Sequence, residues 1–280
     1  VMLYQWLRVL KHNGTTLTDY SIEAQNDTVP AALVAASDYL YIGQYYPFNN
    51  IYFEVGTANT NASTVSVEYW DSKQWRSAVD ILDATKTAGV PFAKNGVIQF
   101  SPDIDYNWTQ VRDTSKQDTP THLQSREMYD LYWARVKVSA DLSAGTALKR
   151  VGYCFSTNAM LAGIDPEVNQ YLVPWGGSGK LNWDEQLQLA SLHLVADLRS
   201  RQIVVHAGNI LRFDDVALAA AYRTLALIYG PLGPAFDARR KLALEEYERL
   251  LNVKRFTIDV DTNGRVDRGE INNTTGQMIR

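Results

Sequence analysis

The chain is short of several things that would narrow its chemistry at once. It has a single cysteine, Cys154, among 280 residues, which excludes an intramolecular disulfide framework and any cysteine-rich zinc site. The thiol sits in the apolar run Val151-Gly152-Tyr153-Cys154-Phe155, where a free cysteine packs as a small hydrophobe. Histidines number four, and His12, His122, His193 and His206 show no metal-ligand spacing of the H-E-x-x-H type. No apolar run approaches the ~18 residues that a membrane span needs. No cleavable leader follows Val1–Leu10, since Lys11 and His12 come next without a small-residue site, so the origin reads as intracellular. The Asn-x-Ser/Thr triplets at Asn26, Asn61, Asn107 and Asn272 carry little weight without such a signal. Excess positive charge is also missing. The formal charge of −4 argues against a general grip on nucleic acid, which depends on Lys and Arg displacing counterions from phosphates.

What is present is an ordinary globular composition, 46% hydrophobic and 21% charged, with a change of period along it. Up to about Phe155 the pattern favours strands. Tyr4–Val9 is followed by His12-Asn13-Gly14-Thr15, whose Asn-Gly pair suits a type I′ hairpin. Tyr39–Gly43 and Ile51–Val55 are dense in aromatic and β-branched residues. Thr64–Trp70 alternates with period two, and Asp71-Ser72-Lys73 turns into Gln74-Trp75-Arg76. Gly96–Phe100 and Tyr132–Val138 complete the series, the latter with Trp133, Arg135 and Lys137 on one face. Asp103–Arg126 is polar and reads as a long surface loop. Short strands so spaced predict a sandwich or barrel.

Breakers at Ile164-Asp165-Pro166 and Pro174–Gly179 mark a junction. Beyond it, Asn182 and Glu185 have the spacing of a capping box. Leu187, Ala190, Leu194 and Leu198 then mark a helix face. A second helix starts near Asp214 or Asp215, runs through Val216, Ala219, Ala220, Leu225 and Ile228, and ends at Gly230-Pro231. A third covers roughly Phe236–Leu251, with Leu242, Tyr247, Leu250 and Leu251 inward. The predicted fold is therefore α+β: an N-terminal antiparallel β-sandwich-like domain (1–157), a linker (158–182), a small helical domain (183–253) and a tail (254–280). Three short helices make a thin core, which predicts burial against the β part or sister copies.

Of the motifs that could carry chemistry, the tail holds the sharpest. Asp259–Glu270 satisfies every specified position of the twelve-residue calcium loop. Ca²⁺ takes six to eight hard oxygen ligands. Asp259, Asp261 and Asn263 present oxygens on alternate residues, Gly264 permits the turn and Arg265 offers its carbonyl. Asp267 acts directly or through water, and Glu270 closes the site. A chance match is on the order of one in a thousand. The strand-like Lys254–Ile258 before it and the weak Ile271–Arg280 after it do not make a helix–loop–helix sensor. Two readings stand: a structural Ca²⁺ or other hard cation, or an acidic Asx-turn that orders the tail.

Enzymatic signals are absent from the linear sequence. Gly176-Gly177-Ser178-Gly179-Lys180 invites comparison with a phosphate loop. However, the first glycine would fall at Pro174, and Leu181 stands where Ser or Thr should bind Mg²⁺. No Gly-x-Ser-x-Gly elbow occurs. Asp214-Asp215 and Glu245-Glu246 fit capping and a solvated face. Trp70, Trp75, Trp108 and Trp133 with Tyr39, Tyr41, Tyr45 and Tyr46 form either a sugar-stacking platform or, more commonly, a sandwich core or interface.

Three stretches, Phe213–Tyr222, Leu225–Tyr229 and Asp237–Leu251, together with the acidic tail, resemble the head–tail adaptor (connector) proteins of tailed bacteriophages. Ser63–Trp75 is similar to β-sandwich modules carried by phage structural proteins. The resemblance implies a non-enzymatic virion neck component, assembled as a ring of commonly about a dozen copies beneath the portal. Its expected partners are the portal protein and a tail or stopper protein, with genome DNA passing through unbound. The calcium proposal rests on the loop alone. The alternatives are a calcium-stabilised carbohydrate-binding module, or another capsid, tail or receptor-binding protein of a phage.

Overall fold

The computed structural model describes residues 8–25, 27–103, 105, 107–111, 123, 131–177, 179–180, 182–210, 212–253 and 256–260. They divide into two compact units, one up to Gly152 and one from Tyr153 to Val260. The protein is α+β, with antiparallel sheets first and helices after.

In the first unit, β1 (Arg8–Asn13), β2 (Leu17–Asp19), β4 (Asp38–Gln44), β6 (Val65–Trp70), β7 (Trp75–Ser77) and β11 (Leu131–Val138) build one sheet. Its order is β2-β1-β4-β11-β6-β7, with β10 (Gln110–Val111) added on β11. The other sheet runs β3 (Val29–Pro30), β12 (Ala147–Gly152), β5 (Asn50–Thr57), β9 (Gly96–Ser101), β8 (Val79–Asp83). Period-two patterning decides which face is inward. Leu40, Ile42, Val67, Tyr69, Ala134 and Val136 of the first sheet share one face and are at most 1% exposed. Trp108 joins the sheets: its ring lies 5.7 Å from Tyr69, 6.2 Å from Phe100 of β9 and 4.9 Å from Phe48. The stretch expected as a polar surface loop is thus partly core where it is described, since Trp108, Val111 and Leu123 are buried.

The first hairpin forms with a different turn from the one expected. Asn13 N–H donates to the Thr16 carbonyl, which makes Gly14 and Thr15 the central pair. Only Gly14 has a positive φ, +86°. A positive φ at the first central residue alone fits the II′ form rather than I′. At the far edge of the second sheet, β8 carries a register shift between Val79 and Leu82. Asp80 there has φ +52°, the local kink of a bulge.

The second unit contains α1 (Asn158–Ile164), α2 (Leu172–Gly176), α3 (Asp184–Ser200), α4 (Phe213–Tyr229) and α5 (Asp237–Val253). The linker expected at 158–182 is therefore a correction: Asn158–Ile164, Val168–Tyr171 and Leu172–Gly176 within it are helical and count with this unit. Thr157 caps α1, its Oγ1 accepting from Met160 N–H at 3.2 Å, and Leu161 is fully buried. The boundary itself falls at Gly152, because the strand run breaks there and Tyr153 onward turns to the helices. Cys154 is buried, with its thiol donating to the Ser156 carbonyl at 3.1 Å.

The expected capping box on α3 is also replaced. Asn182 Oδ1 accepts from Asp184 N–H, but Trp183 occupies the cap without a side-chain bond. Asn158 of α1 does the work instead, accepting from Trp183 N–H at 3.0 Å and donating to Asp184 at 2.7 Å. The pattern of α3 holds: Leu187, Ala190, Leu194 and Leu198 are at most 1% exposed. Burial of each leucine contributes about 1.5–3 kcal/mol. α4 is apolar nearly all round, burying Val216, Ala217, Ala219, Ala220, Ala221, Leu225 and Ile228. It packs against α1, α3 and α5, and its alanines allow that close approach. α5 buries Ala243, Tyr247, Leu250 and Leu251, whereas Leu242, expected inward, is 59% exposed.

Candidate functional site

The second unit has a groove of about 490 Å³ where α1, α4 and α5 meet. Ile164, Tyr222, Leu225 and Ala243 give it apolar walls, Leu242 stands at its rim, and Asp165, Arg239 and Glu246 supply charge. Its position follows from local sequence. Pro166 after Asp165 ends α1, leaving the Asp165 carboxylate at the helix end. There it accepts a hydrogen bond from Tyr229 Oη at 2.7 Å, and Arg239 lies 3.6 Å away.

Arg239 is the hub of this end. It donates to Tyr171 Oη at 2.5 Å and to Glu167 Oε2 at 3.2 Å, and Tyr171 donates to the same carboxylate at 3.0 Å. The bond from Tyr171, then Arg239, holds the Glu167 carboxyl below its ordinary range. Burial, reinforced by Asp165, pushes the Tyr229 phenol up. The mutual hydrogen bonds of these groups act as a clamp on the first turn of α5.

A second clamp holds the other end. Tyr247 Oη donates to Asp197 of α3 at 2.6 Å, and Arg201 donates to Glu248 at 2.5 Å and Asn252 at 2.6 Å. Arg223 Nε donates to His193 Nδ1 at 3.3 Å. Burial, then the Arg223 charge, lowers the His193 pKa, which keeps that nitrogen an acceptor. α5 is therefore fastened at both ends by charged hydrogen bonds around a narrow apolar strip. Sequence reasoning missed both clamps, because the hydrogen bonds from Arg239 and Arg201 join residues 47 to 72 positions apart. Only the i, i+4 pair Glu167 and Tyr171 left a local trace.

Of the calcium-type loop, Asp259 lies within the described residues, and Asp261, Asn263, Arg265, Asp267 and Glu270 lie outside them. Asp259 is 1% exposed. Its backbone N–H donates to the Asn209 carbonyl at 2.8 Å, and its own carbonyl accepts from Asn209 Nδ2 at 2.7 Å. The preceding residues are fixed too: Ile258 bridges Ile210, and Thr257 N–H donates to Asp215 at 2.8 Å. The start of the loop is thus anchored to the helical unit before any ion binds. Among the described residues, no group of three His, Cys, Asp or Glu side chains is placed to hold a metal.

Lys180, the residue that gave the glycine-rich stretch its likeness to a phosphate loop, is engaged elsewhere. Its ammonium lies 4.8 Å from the Trp175 ring, 5.2 Å from the Trp183 ring and 3.5 Å from Glu185. Gly176 makes room for it, since a Cβ there would fall 2.6 Å from Lys180 Cδ. The lysine is folded back as an internal cation–π plug.

The aromatic residues of the first unit divide by position. Trp70, Trp108, Trp133 and Tyr41 are buried, and Tyr45 and Tyr46 are 49% and 40% exposed. On the outer face of the first sheet, the Arg135 guanidinium lies 4.2 Å from the Tyr39 ring and 4.5 Å from the Trp75 ring. Arg135 donates to Glu68 at 2.5 Å, and Lys137 bonds the same carboxylate. Burial pushes the Tyr41 phenol up to about 12, against the opposing bond to Arg135. Gly43 lets Trp133 lie flat on the sheet, because a Cβ there would meet its ring at 2.7 Å. This cluster is a packed pillar with its rings and charges already committed to one another.

No helix among the described residues is long and apolar enough to cross a membrane. No protein-family model matches this chain, and no curated protein does.

Proposed function

We propose that this chain is a non-enzymatic structural protein of a tailed phage, a head–tail adaptor that assembles as a ring between portal and tail. The observation that carries the reading is the α4–α5 pair. The segments that resemble the adaptor family, Phe213–Tyr222, Leu225–Tyr229 and Asp237–Leu251, lie in two helices packed against one another within a unit of their own. α5 turns a largely charged surface outward, with Leu242 exposed in it, and is clamped at both ends, which suits a rigid element.

The β unit then serves as an attached module that touches other particle components, and DNA slides through the ring without specific binding. The loop from Asp259 to Glu270 takes a structural Ca²⁺, with Asp259 preset by Asn209. Immunogold labelling of particles that carry this chain tests the assignment. Label is expected at the collar between head and tail, and native mass spectrometry of the extracted neck is expected to show a closed ring. Label confined to capsid faces or tail tips, or turnover of a small molecule by the isolated chain, overturns the reading.

A further inference from the structure

The groove carries a pattern that specifies what fills it. Arg239, Leu242, Ala243 and Glu246 stand at i, i+3, i+4 and i+7 on α5, a single stripe, and all four line the groove. Leu242 is 59% exposed at the rim and Ala243 is 3% exposed below it. Along the helix the stripe therefore reads cation, large apolar, small apolar, anion. Half a turn about an axis between Leu242 and Ala243 sets Arg239 against Glu246 and Leu242 against Ala243, twice over. A parallel copy would set like charge against like. The stripe is self-complementary under a two-fold operation.

We infer that this face binds a second copy of this chain, with α5 antiparallel to α5 and Leu242 of each copy seated in the other's groove. Beside the stripe, Arg240 and Lys241 are exposed in the first half of α5 and Glu245 and Glu248 in the second, while Asp237 and Arg249 carry the opposite sign at its two ends. Arg239 and Glu246 now pair with Glu167 and Arg249. Arg239 keeps its bonds to Tyr171 and Glu167 and, with its side chain 49% exposed, still presents a cation to the groove, whereas the surface Glu246–Arg249 pair exchanges partners at little cost. Charge thus sets the register, and burial of the leucine supplies the attraction. The inference does not rest on the adaptor reading, since an isologous contact closes at two copies and does not propagate around a ring.

Mass photometry and sedimentation of the full chain test it. Wild type is expected at twice the 31.5 kDa chain mass. Leu242→Asp should be monomeric yet folded, with an unchanged circular-dichroism spectrum, because the side chain is exposed. Leu242→Cys, oxidised, should give a covalent dimer and nothing larger, Cys154 being buried. Glu246→Arg should weaken the dimer about tenfold. A monomeric wild type, a dimer indifferent to Leu242→Asp, or cross-linked species beyond two copies overturns the inference. Label at the particle collar reports on the adaptor reading alone, so the two fail separately.

Discussion

Asn209 shows how much one side chain can organise. Its amide oxygen accepts from the backbones of Val205 and His206, both at 2.9 Å, and its amide nitrogen donates to the Asp259 carbonyl. Removing it leaves three backbone groups short of a partner at a site 4% exposed. Asn209→Ala is expected to cost roughly 2–4 kcal/mol in urea unfolding. Its neighbour His206 gives a pH signature. Burial, then Arg199, lowers its pKa from the ordinary 6.5 to about 4. The folded chain thus holds the imidazole neutral while the unfolded chain protonates it more readily. The stabilisation is complete above pH 6.5 and is lost as pH falls towards 4. Thermal melts across that window should show the loss, and His206→Gln should flatten it. The Asp259 loop is checked the same way: Ca²⁺ should raise the melting temperature of wild type, and Asp259→Ala with Glu270→Ala should abolish the rise.

Elements with a strong local period were legible before any coordinates. The face of α3 at Leu187, Ala190, Leu194 and Leu198 and the alternation of β6 and β11 fall where the pattern put them, because burial enforces that period on a single element. What the pattern could not reach were partners brought by the fold. Asn158 caps α3 from another helix, and Arg239 finds Asp165 and Glu167 across the groove. The linker reading failed for a related reason. Gly, Pro and Asp breakers around 164–177 mark the ends of short helices as readily as they mark a flexible tether. Of the metal residues, Asp259 alone falls within the described residues, and the groove left almost no linear trace. At the level of the sheet, Arg135 binds β4, β6 and β7 through Tyr39, Glu68 and Trp75. Arg135→Met removes the stacked cation and leaves the buried Glu68 with Lys137 alone. It is expected to cost about 2–4 kcal/mol, read in urea unfolding.

The chain divides into two compact units, so heating should produce two calorimetric transitions rather than one. Val136→Ala should lower one midpoint and Leu194→Ala the other, each leaving its counterpart in place. A single transition moved by both variants would show that the units unfold together. One further consequence follows from the kink at Asp80. β8 ends its sheet with Val79 and Leu82 turned to solvent, 41% and 64% exposed, a composition that invites cross-β stacking between chains. The bulge throws the rung spacing out of step, so an incoming strand cannot zip along it. Straightening that edge, as deletion of Asp80 would do, should promote fibril formation, visible as thioflavin fluorescence at high concentration.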